Sequence, residues 1–338
     1  MPPTIRDVAK RLKLSITTVS RALDGYDDVA DDTRQLVIKT AQKMGYVPNR
    51  AARQLRRQRT DTLGYILPAT STGFADPFFS EFIAGLSDEA VLHKFDLLVS
   101  AAPSDSDAEK ILYRRWVQGG KIDGVVINRV RLNDWRLQFL AKQNVPHVTL
   151  ERSLAQADFV GVEVDSYGGF LRLLEYLVSK GHRRVGYLGG IPEFKIDYDR
   201  QRGYLDGLKA AGIKSESTLI THGDLTSEGG YQATSHLLEL SSPPTAIVCV
   251  NDQTAIGAMH AAHERGLIVG RDIAIAGFDG QADAAHTEPP LTTLKQPVYS
   301  VARQLAKMLM AIIADETLDE PQVKIQPELL IRASTGGL

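Results

Sequence analysis

The sequence predicts an all-α helix-turn-helix headpiece followed by a larger α/β body whose parallel sheets fall into two lobes. Three observations carry this expectation. Two short, capped helical segments with a very brief join open the chain. Residues 1–60 hold 4 Lys and 9 Arg against 6 Asp and no Glu, a net of +7, while the whole chain stands at -2, which leaves -9 for the rest. From Thr62 onward, short apolar runs alternate with amphipathic helical stretches.

In the first segment, Ile5, Val8, Ala9 and Leu12 repeat at the spacing of one helix face, and Thr4 with Asp7 forms a T-x-x-D cap. Lys13-Leu14 makes the join, and Ser15 caps a second helix from Ile16 to Leu23 that turns Val19, Ala22 and Leu23 inward. Such a pair suits a helix-turn-helix whose second helix enters the major groove, presenting Ile16 and Thr17 first and Arg21 one turn on. A third helix is expected from a cap at Asp32 through Val37, Ile38, Ala41 and Met44 to a stop at Gly45. Beyond Pro48, residues 49–59 carry five arginines around a weak stripe of Ala51, Ala52 and Leu55. That stripe can pack on a copy of itself, with Leu55 as a minor-groove wedge between phosphate-binding arginines; a basic linker is the alternative.

With 43% hydrophobic residues, the 338-residue chain can fill two or three compact units. One cysteine, Cys249, excludes an internal disulfide framework and fits a reducing compartment; it lies in an apolar strand as a small hydrophobe. No apolar run approaches 18 residues, and the N-terminus lacks the order of a signal peptide, so a cytoplasmic protein without a membrane segment is expected. In the body, strands are predicted at Leu63–Pro68, Asp96–Ser100, Gly124–Asn128, His147–Leu150, Val185–Leu188, Leu219–Thr221, Ala246–Val250 and Ile273–Ala276, with helices at Phe79–His93, Asp107–Val117 and Asp134–Gln143 among them. So many strands exceed one doubly wound sheet, hence two lobes. Catalytic signatures fail: Gly186-Tyr187-Leu188-Gly189-Gly190 is no dinucleotide fingerprint, and His260-Ala261-Ala262-His263-Glu264 is no zinc motif. Phosphate-loop and nucleophile-elbow patterns are missing, so no enzyme and no cofactor is expected.

The stretch Ile5-Arg6-Asp7-Val8-Ala9, Thr18-Val19-Ser20-Arg21-Ala22-Leu23-Asp24-Gly25, Val29, Thr33-Arg34, Gly45-Tyr46-Val47-Pro48-Asn49, Ala52-Arg53 and Leu55 resembles the headpiece of the lactose-repressor (LacI/GalR) family. The body resembles the two-lobed periplasmic-binding-protein-like effector domain of that family. The stretches are Asp76-Pro77-Phe78-Phe79, Asp123-Gly124-Val125, Gly181 to Gly190, Arg200 to Tyr204, Asn251 to Ala258, Gly277-Phe278-Asp279 and Pro289 to Leu294. The resemblance covers almost the entire chain. It implies a headpiece at 1–48, a hinge helix or linker at 49–60, and an effector-binding and dimerisation domain at 61–338. One lobe is placed at 61–163 and 293–321, the other at 164–292 and 322–335. It also implies DNA contacts from Thr4, Ser15, Ile16, Thr17, Thr18, Ser20, Arg21, Thr33, Tyr46, Asn49, Ala52, Leu55 and Arg56, with paired leucines inserted at the operator centre.

Ligand residues are sought just after strands or at helix starts facing the cleft, because polyols are held by charged or amide groups and covered by aromatic faces. This selects Asp76, Phe78, Phe79, Arg129, Arg200, Asn251, Asp252 and Asp279. Asp252 has the alternative of capping its helix, Phe79 of packing in the core, and Arg129 of pairing with Asp134 in its own loop. The expectation is a homodimeric transcriptional regulator that binds near-palindromic operator DNA and is switched by a sugar or glycoside. A corepressor-type switch with a purine or phosphorylated sugar is the rival. The residues after Arg332 are too few for a coiled-coil heptad, so dimerisation is expected from helices such as Phe79–His93 and Asp252–Arg265, with no tetramer.

Overall fold

The computed structural model describes residues 3–47, 59–69, 76–155 and 159–336, which form two compact units, Met1–Thr60 and Asp61–Leu338. In the first, α1 (Ile5–Leu12), α2 (Ile16–Leu23) and α3 (Asp31–Met44) close on a small core of Val8, Ala9, Val19, Ala22, Val29, Val37 and Ala41. The caps are local chemistry. The Thr4 amide and hydroxyl both donate to Asp7 Oδ2, at 2.8 and 2.7 Å, holding the Asp7 carboxyl below its usual range, and Ser15 Oγ accepts Thr18 N at 2.9 Å. Helix α3 starts at Asp31 after Ala30, so Asp32 is a first-turn residue and not the expected cap. Gly45 ends the helix in a left-handed conformation, as its position suggested.

The second unit carries two six-stranded sheets. The first contains β1 (Thr62–Pro68), β2 (Asp96–Ala102), β3 (Gly124–Ile127), β4 (His147–Leu150), β5 (Gly161–Val164) and a late strand, Gln322–Ile325, in the spatial order late strand, β5, β4, β3, β1, β2. All its pairings are parallel. Helices α4 (Pro77–Leu92), α5 (Asp107–Gln118) and α6 (Trp135–Lys142) are its crossovers. The second lobe follows with α7 (Ser166–Ser179), β6 (Val185–Gly189), α8 (Lys195–Ala210), β7 (Ile220–His222), α9 (Ser227–Leu238), β8 (Ala246–Cys249), α10 (Asp252–Glu264), β9 (Ala274–Asp279) and β10 (Thr292–Lys295). The chain then returns through α11 (Val298–Ile313) to that late strand, β11, and ends the second sheet with β12 (Glu328–Leu330). The second sheet is parallel except for β12, which runs antiparallel to β10.

Strand pairing corrects both late crossings. Thr292–Lys295 pairs with Ala276–Asp279 in the second sheet, so residues 293–295 do not belong to the first lobe. Gln322–Ile325 pairs with Gly161–Val164, so residues 322–325 do not belong to the second. The chain crosses three times, between Val164 and Ser166, Lys295 and Val298, and Ile325 and Glu328. Each lobe buries near-continuous apolar strands such as Ala246–Cys249 and Gly124–Ile127, as sheets covered on both faces must. Among the described residues no helix is long and apolar enough to cross a membrane.

Candidate functional site

A pocket opens where the carboxyl ends of β3, β4, β6, β8, β9 and β10 face one another between the lobes. Asp76, Phe78, Asn128, Arg129, Leu150, Glu151, Ile196, Arg200, Leu225, Asn251, Asp279 and Gln296 line it. Strand ends carry polar groups into such a crevice while their interiors pack the sheet.

On the first lobe, Asp76 caps α4 by accepting Phe78 N at 3.0 Å, and Arg129 Nη2 lies 3.6 Å from its Oδ2. Burial pushes the Asp76 carboxyl up, the Phe78 amide and Arg129 pulling it back, and burial lowers Arg129. The Arg129 guanidinium also rests 4.6 Å from the Phe79 ring centroid. Arg129 therefore pairs with Asp76 and not with Asp134, whose carboxylate takes Arg136 instead, at 2.6 Å. Asn128 donates to the Tyr65 hydroxyl at 2.7 Å.

On the second lobe, Arg200 stands in the second turn of α8, which begins at Lys195; it does not open that helix. It donates to the Val250 carbonyl and to Ser166 Oγ, and its guanidinium lies 3.7 Å from the Phe278 centroid. Asp279 ends β9 at φ 117° and accepts Gln296 Nε2 at 2.6 Å. Burial drives its carboxyl well above the ordinary range, against the pull of Arg200. Asn251 caps α10 by accepting Thr254 N at 2.9 Å and donates to Leu225 O.

Six of the eight expected residues thus meet in one pocket. Phe79 does not line it: it is 6% exposed and packs into the first-lobe core, because in helix phase it shares a face with Phe82 and Leu86. Asp252 is buried behind the pocket, accepting Gln281 N at 2.8 Å and Thr293 Oγ1 at 2.6 Å; burial pushes its carboxyl up to about 7. It ties the loop after β9 to β10, and the cap is Asn251, so the capping alternative for Asp252 fails as well.

Glu151 and Gln296 went unselected; Glu151 directly follows the expected strand His147–Leu150, so the strand-end rule already reached it, whereas Gln296 follows β10, which was not among the expected strands. Glu151 is 3% exposed; Oε1 accepts Val164 N at 3.2 Å, and among the described residues Oε2 has no hydrogen-bond partner. Burial pushes its carboxyl up to about 8, helped by Glu163 and Asp199 and opposed by the Val164 amide and Lys195. On the second lobe, Lys195 pairs with Asp199 one turn along α8.

Among the described residues, backbone and side-chain hydrogen bonds join the lobes beside the pocket. Lys195 N donates to Val130 O and Leu132 N to Glu193 O, both at 2.9 Å, and Gln281 Nε2 reaches Asp76 Oδ1 at 2.9 Å.

In the first unit, Thr4, Ser15, Ile16 and Thr17 are exposed, and Thr18, Ser20, Thr33 and Tyr46 are half-buried. Ile16 leaves 46% of its surface in solvent at the head of α2. Arg21 lies against Asp28 at 2.5 Å and over the Tyr26 ring at 5.0 Å. Asn49, Ala52, Leu55 and Arg56 lie outside the described residues.

A model described as "Bacterial regulatory proteins, lacI family" matches residues 4–49, and one described as "Periplasmic binding protein-like domain" matches 174–335. The chain is 33% identical to "HTH-type transcriptional regulator AglR" of Rhizobium meliloti, over 99% of this chain and 95% of that one. Among solved structures, the Lac repressor dimer bound to operator and the anti-inducer ONPF superposes with a TM-score of 0.86 at 27% identity, covering 99% of both chains. The CelR–cellobiose complex matches with a TM-score of 0.76 at 29% identity, over 98% of this chain and 99% of that one. A helix-turn-helix unit joined to a two-lobed, periplasmic-binding-protein-like body is the build of a transcriptional regulator. Within that class, the chain belongs to the LacI family.

Proposed function

We propose that this regulator binds near-palindromic operator DNA as a homodimer in the cytoplasm, has no catalytic role, and is switched by an uncharged polyhydroxylated ligand, a sugar or glycoside, in the inter-lobe pocket. The observation that carries the ligand class is the charge arrangement there. Three carboxyl groups, from Asp76, Glu151 and Asp279, face two guanidinium groups, from Arg129 and Arg200. Arg129 already has Asp76 beside it, and Arg200 is held by the Val250 carbonyl and Ser166. A phosphate would have to enter among three carboxyl groups and compete with Asp76 for Arg129 and with the Val250 carbonyl and Ser166 for Arg200, which disfavours the phosphorylated-sugar alternative. Hydroxyl groups, by contrast, can donate to the carboxyl oxygens and accept from the guanidinium groups, with Phe78, Leu150 and Ile196 covering apolar faces.

The eight expected contacts reduce in this reading to Asp76, Phe78, Arg129, Arg200, Asn251 and Asp279, joined by Asn128, Glu151 and Gln296. On DNA, Ile16, Thr17 and Arg21 face the major groove, with Thr4, Ser15, Thr18, Ser20, Thr33 and Tyr46 toward the backbone; Asn49, Ala52, Leu55 and Arg56 form the hinge contact. The dimer reading is supported by exposed Val91 and Leu92 at the end of α4 and Val99 on the edge strand β2. A ligand that prefers one angle between the lobes would shift the population able to hold the two headpieces on DNA.

The test is a thermal-shift screen of the full chain against cellobiose, other disaccharides, monosaccharides, sugar phosphates, purines and nucleosides. Stabilisation by a neutral sugar, lost in Arg200→Ala, is the expected result. Stabilisation by phosphorylated sugars or purines alone would overturn the ligand class.

A further inference from the structure

A cluster of three charged side chains is buried in the first lobe away from the pocket: Glu109 and Asp134, each 2% exposed, and Arg136, 3% exposed. Arg136 Nε and Nη2 grip Asp134 at 2.9 and 2.6 Å, and Nη1 lies 3.4 Å from Glu109 Oε1. The same Nη2 also donates to two backbone carbonyls, Asn128 O at 3.3 Å and Arg129 O at 3.1 Å. Asp134 in turn accepts Arg131 N at 3.1 Å, so the guanidinium and its carboxylate hold the turn 128–131 from both sides.

That turn needs holding. Arg129 has φ 45°, a left-handed conformation which a non-glycine residue keeps only when its surroundings over-determine it. The turn then does two things. It delivers the Arg129 guanidinium into the pocket, and its next residues dock on the other lobe. There Val130 O accepts Lys195 N, Leu132 N donates to Glu193 O, and Arg131 forms an antiparallel bridge with Phe194.

We propose that Arg136 is the positioning residue of this segment. Its planar fork, clamped by Asp134 and Glu109, sets the left-handed turn that places Arg129 in the pocket and lays 130–132 against 193–195. A pocket residue and an inter-lobe contact therefore share one buried support, and a shift at either is transmitted to the other. The pocket half of the idea rests on the function proposed above; the inter-lobe half does not.

The test is hydrogen exchange on the full chain without any ligand, so its outcome is independent of what the cleft binds. Arg136→Lys keeps the charge and loses the fork geometry. Exchange at the Leu132 and Lys195 amides is expected to quicken at least tenfold, while β8 and α11 keep their protection. Unchanged exchange at both amides overturns the proposal, and so does loss of protection spread evenly through both lobes, which would make Arg136 ordinary core support. Should Arg136→Lys not fold, the neutral set Glu109→Gln, Asp134→Asn and Arg136→Met serves instead, since a buried ion cluster replaced as a whole need not cost stability. The same local quickening supports the proposal, its absence overturns it, and failure of both proteins to fold overturns it too.

Discussion

Replacing Arg200 by methionine should destabilise the second unit by about 3–5 kcal/mol, and a part of that loss, about 1 kcal/mol or more, should depend on Asp279. The side chain is 3% exposed, so little solvent is available to take over its contacts. Removing it abandons the buried Val250 carbonyl and Ser166 Oγ and takes the guanidinium off the Phe278 ring. A hydrogen bond from a charged donor contributes about 1.5–3 kcal/mol and a desolvated cation–π contact about 2. The Asp279 carboxyl, buried with Gln296 at 2.6 Å, also loses the cation that favours its charged form. If the two groups act together, Asp279→Asn in the Arg200→Met background should cost less than it does alone, with a coupling of at least about 1 kcal/mol. Urea unfolding of the four proteins measures this cycle. Additivity within about 0.5 kcal/mol would refute the linkage and leave Arg200 as a separate packing contact.

Other expectations are equally direct. Glu151, with its carboxyl pushed up to about 8 by burial and by Glu163 and Asp199, binds a proton in the folded chain that the unfolded chain releases near its ordinary value of 4.5. The folded state is therefore favoured at low pH, and this contribution is lost as pH rises from about 4.5 through 8. Asp252 adds a slope of the same sign, so the difference between wild type and Glu151→Gln isolates Glu151; parallel pH–stability curves would contradict it. In the headpiece, Arg21→Ala should cost about 1–3 kcal/mol on a cognate operator and much less on random duplex, measured by fluorescence anisotropy. Equal losses on both would reduce Arg21 to a phosphate contact. Asp28→Asn, which removes the acidic partner of Arg21, should tighten binding to both duplexes. Light scattering at micromolar concentration should find a dimer; a stable tetramer would reveal a second interface.

What was legible in the sequence was mostly local. Thr4–Asp7, Ser15 and Gly45 announce helix ends because their partners lie within four residues. Several pocket residues were legible because they lie at or just past the end of a strong apolar strand, as with Arg129, Asn251 and Asp279, whereas Glu151 held such a position and was passed over. Four strands were not: β5, β10, β11 and β12 are three or four residues long, and β11 finds its partner more than 150 residues back in the chain. Short strands of this kind are specified by the sheet they join and not by their own pattern. The same blindness to distant pairing misplaced both late crossings. Phe79 illustrates a different loss: helix phase alone separates it from Phe78, but position after a strand selected both. Arg136 and Glu109, 27 residues apart, gave no signal before the fold brought them together.

A DNA reader joined to a ligand-sensing body should hold its operator differently with and without ligand. The full chain is used to select duplexes from a random pool, with and without the sugar that most raises its melting temperature. Enrichment of a near-palindromic site is expected, with retention that changes at least tenfold when the sugar is present. Selection of no symmetric sequence, or of one whose retention ignores every ligand that stabilises the body, would contradict it.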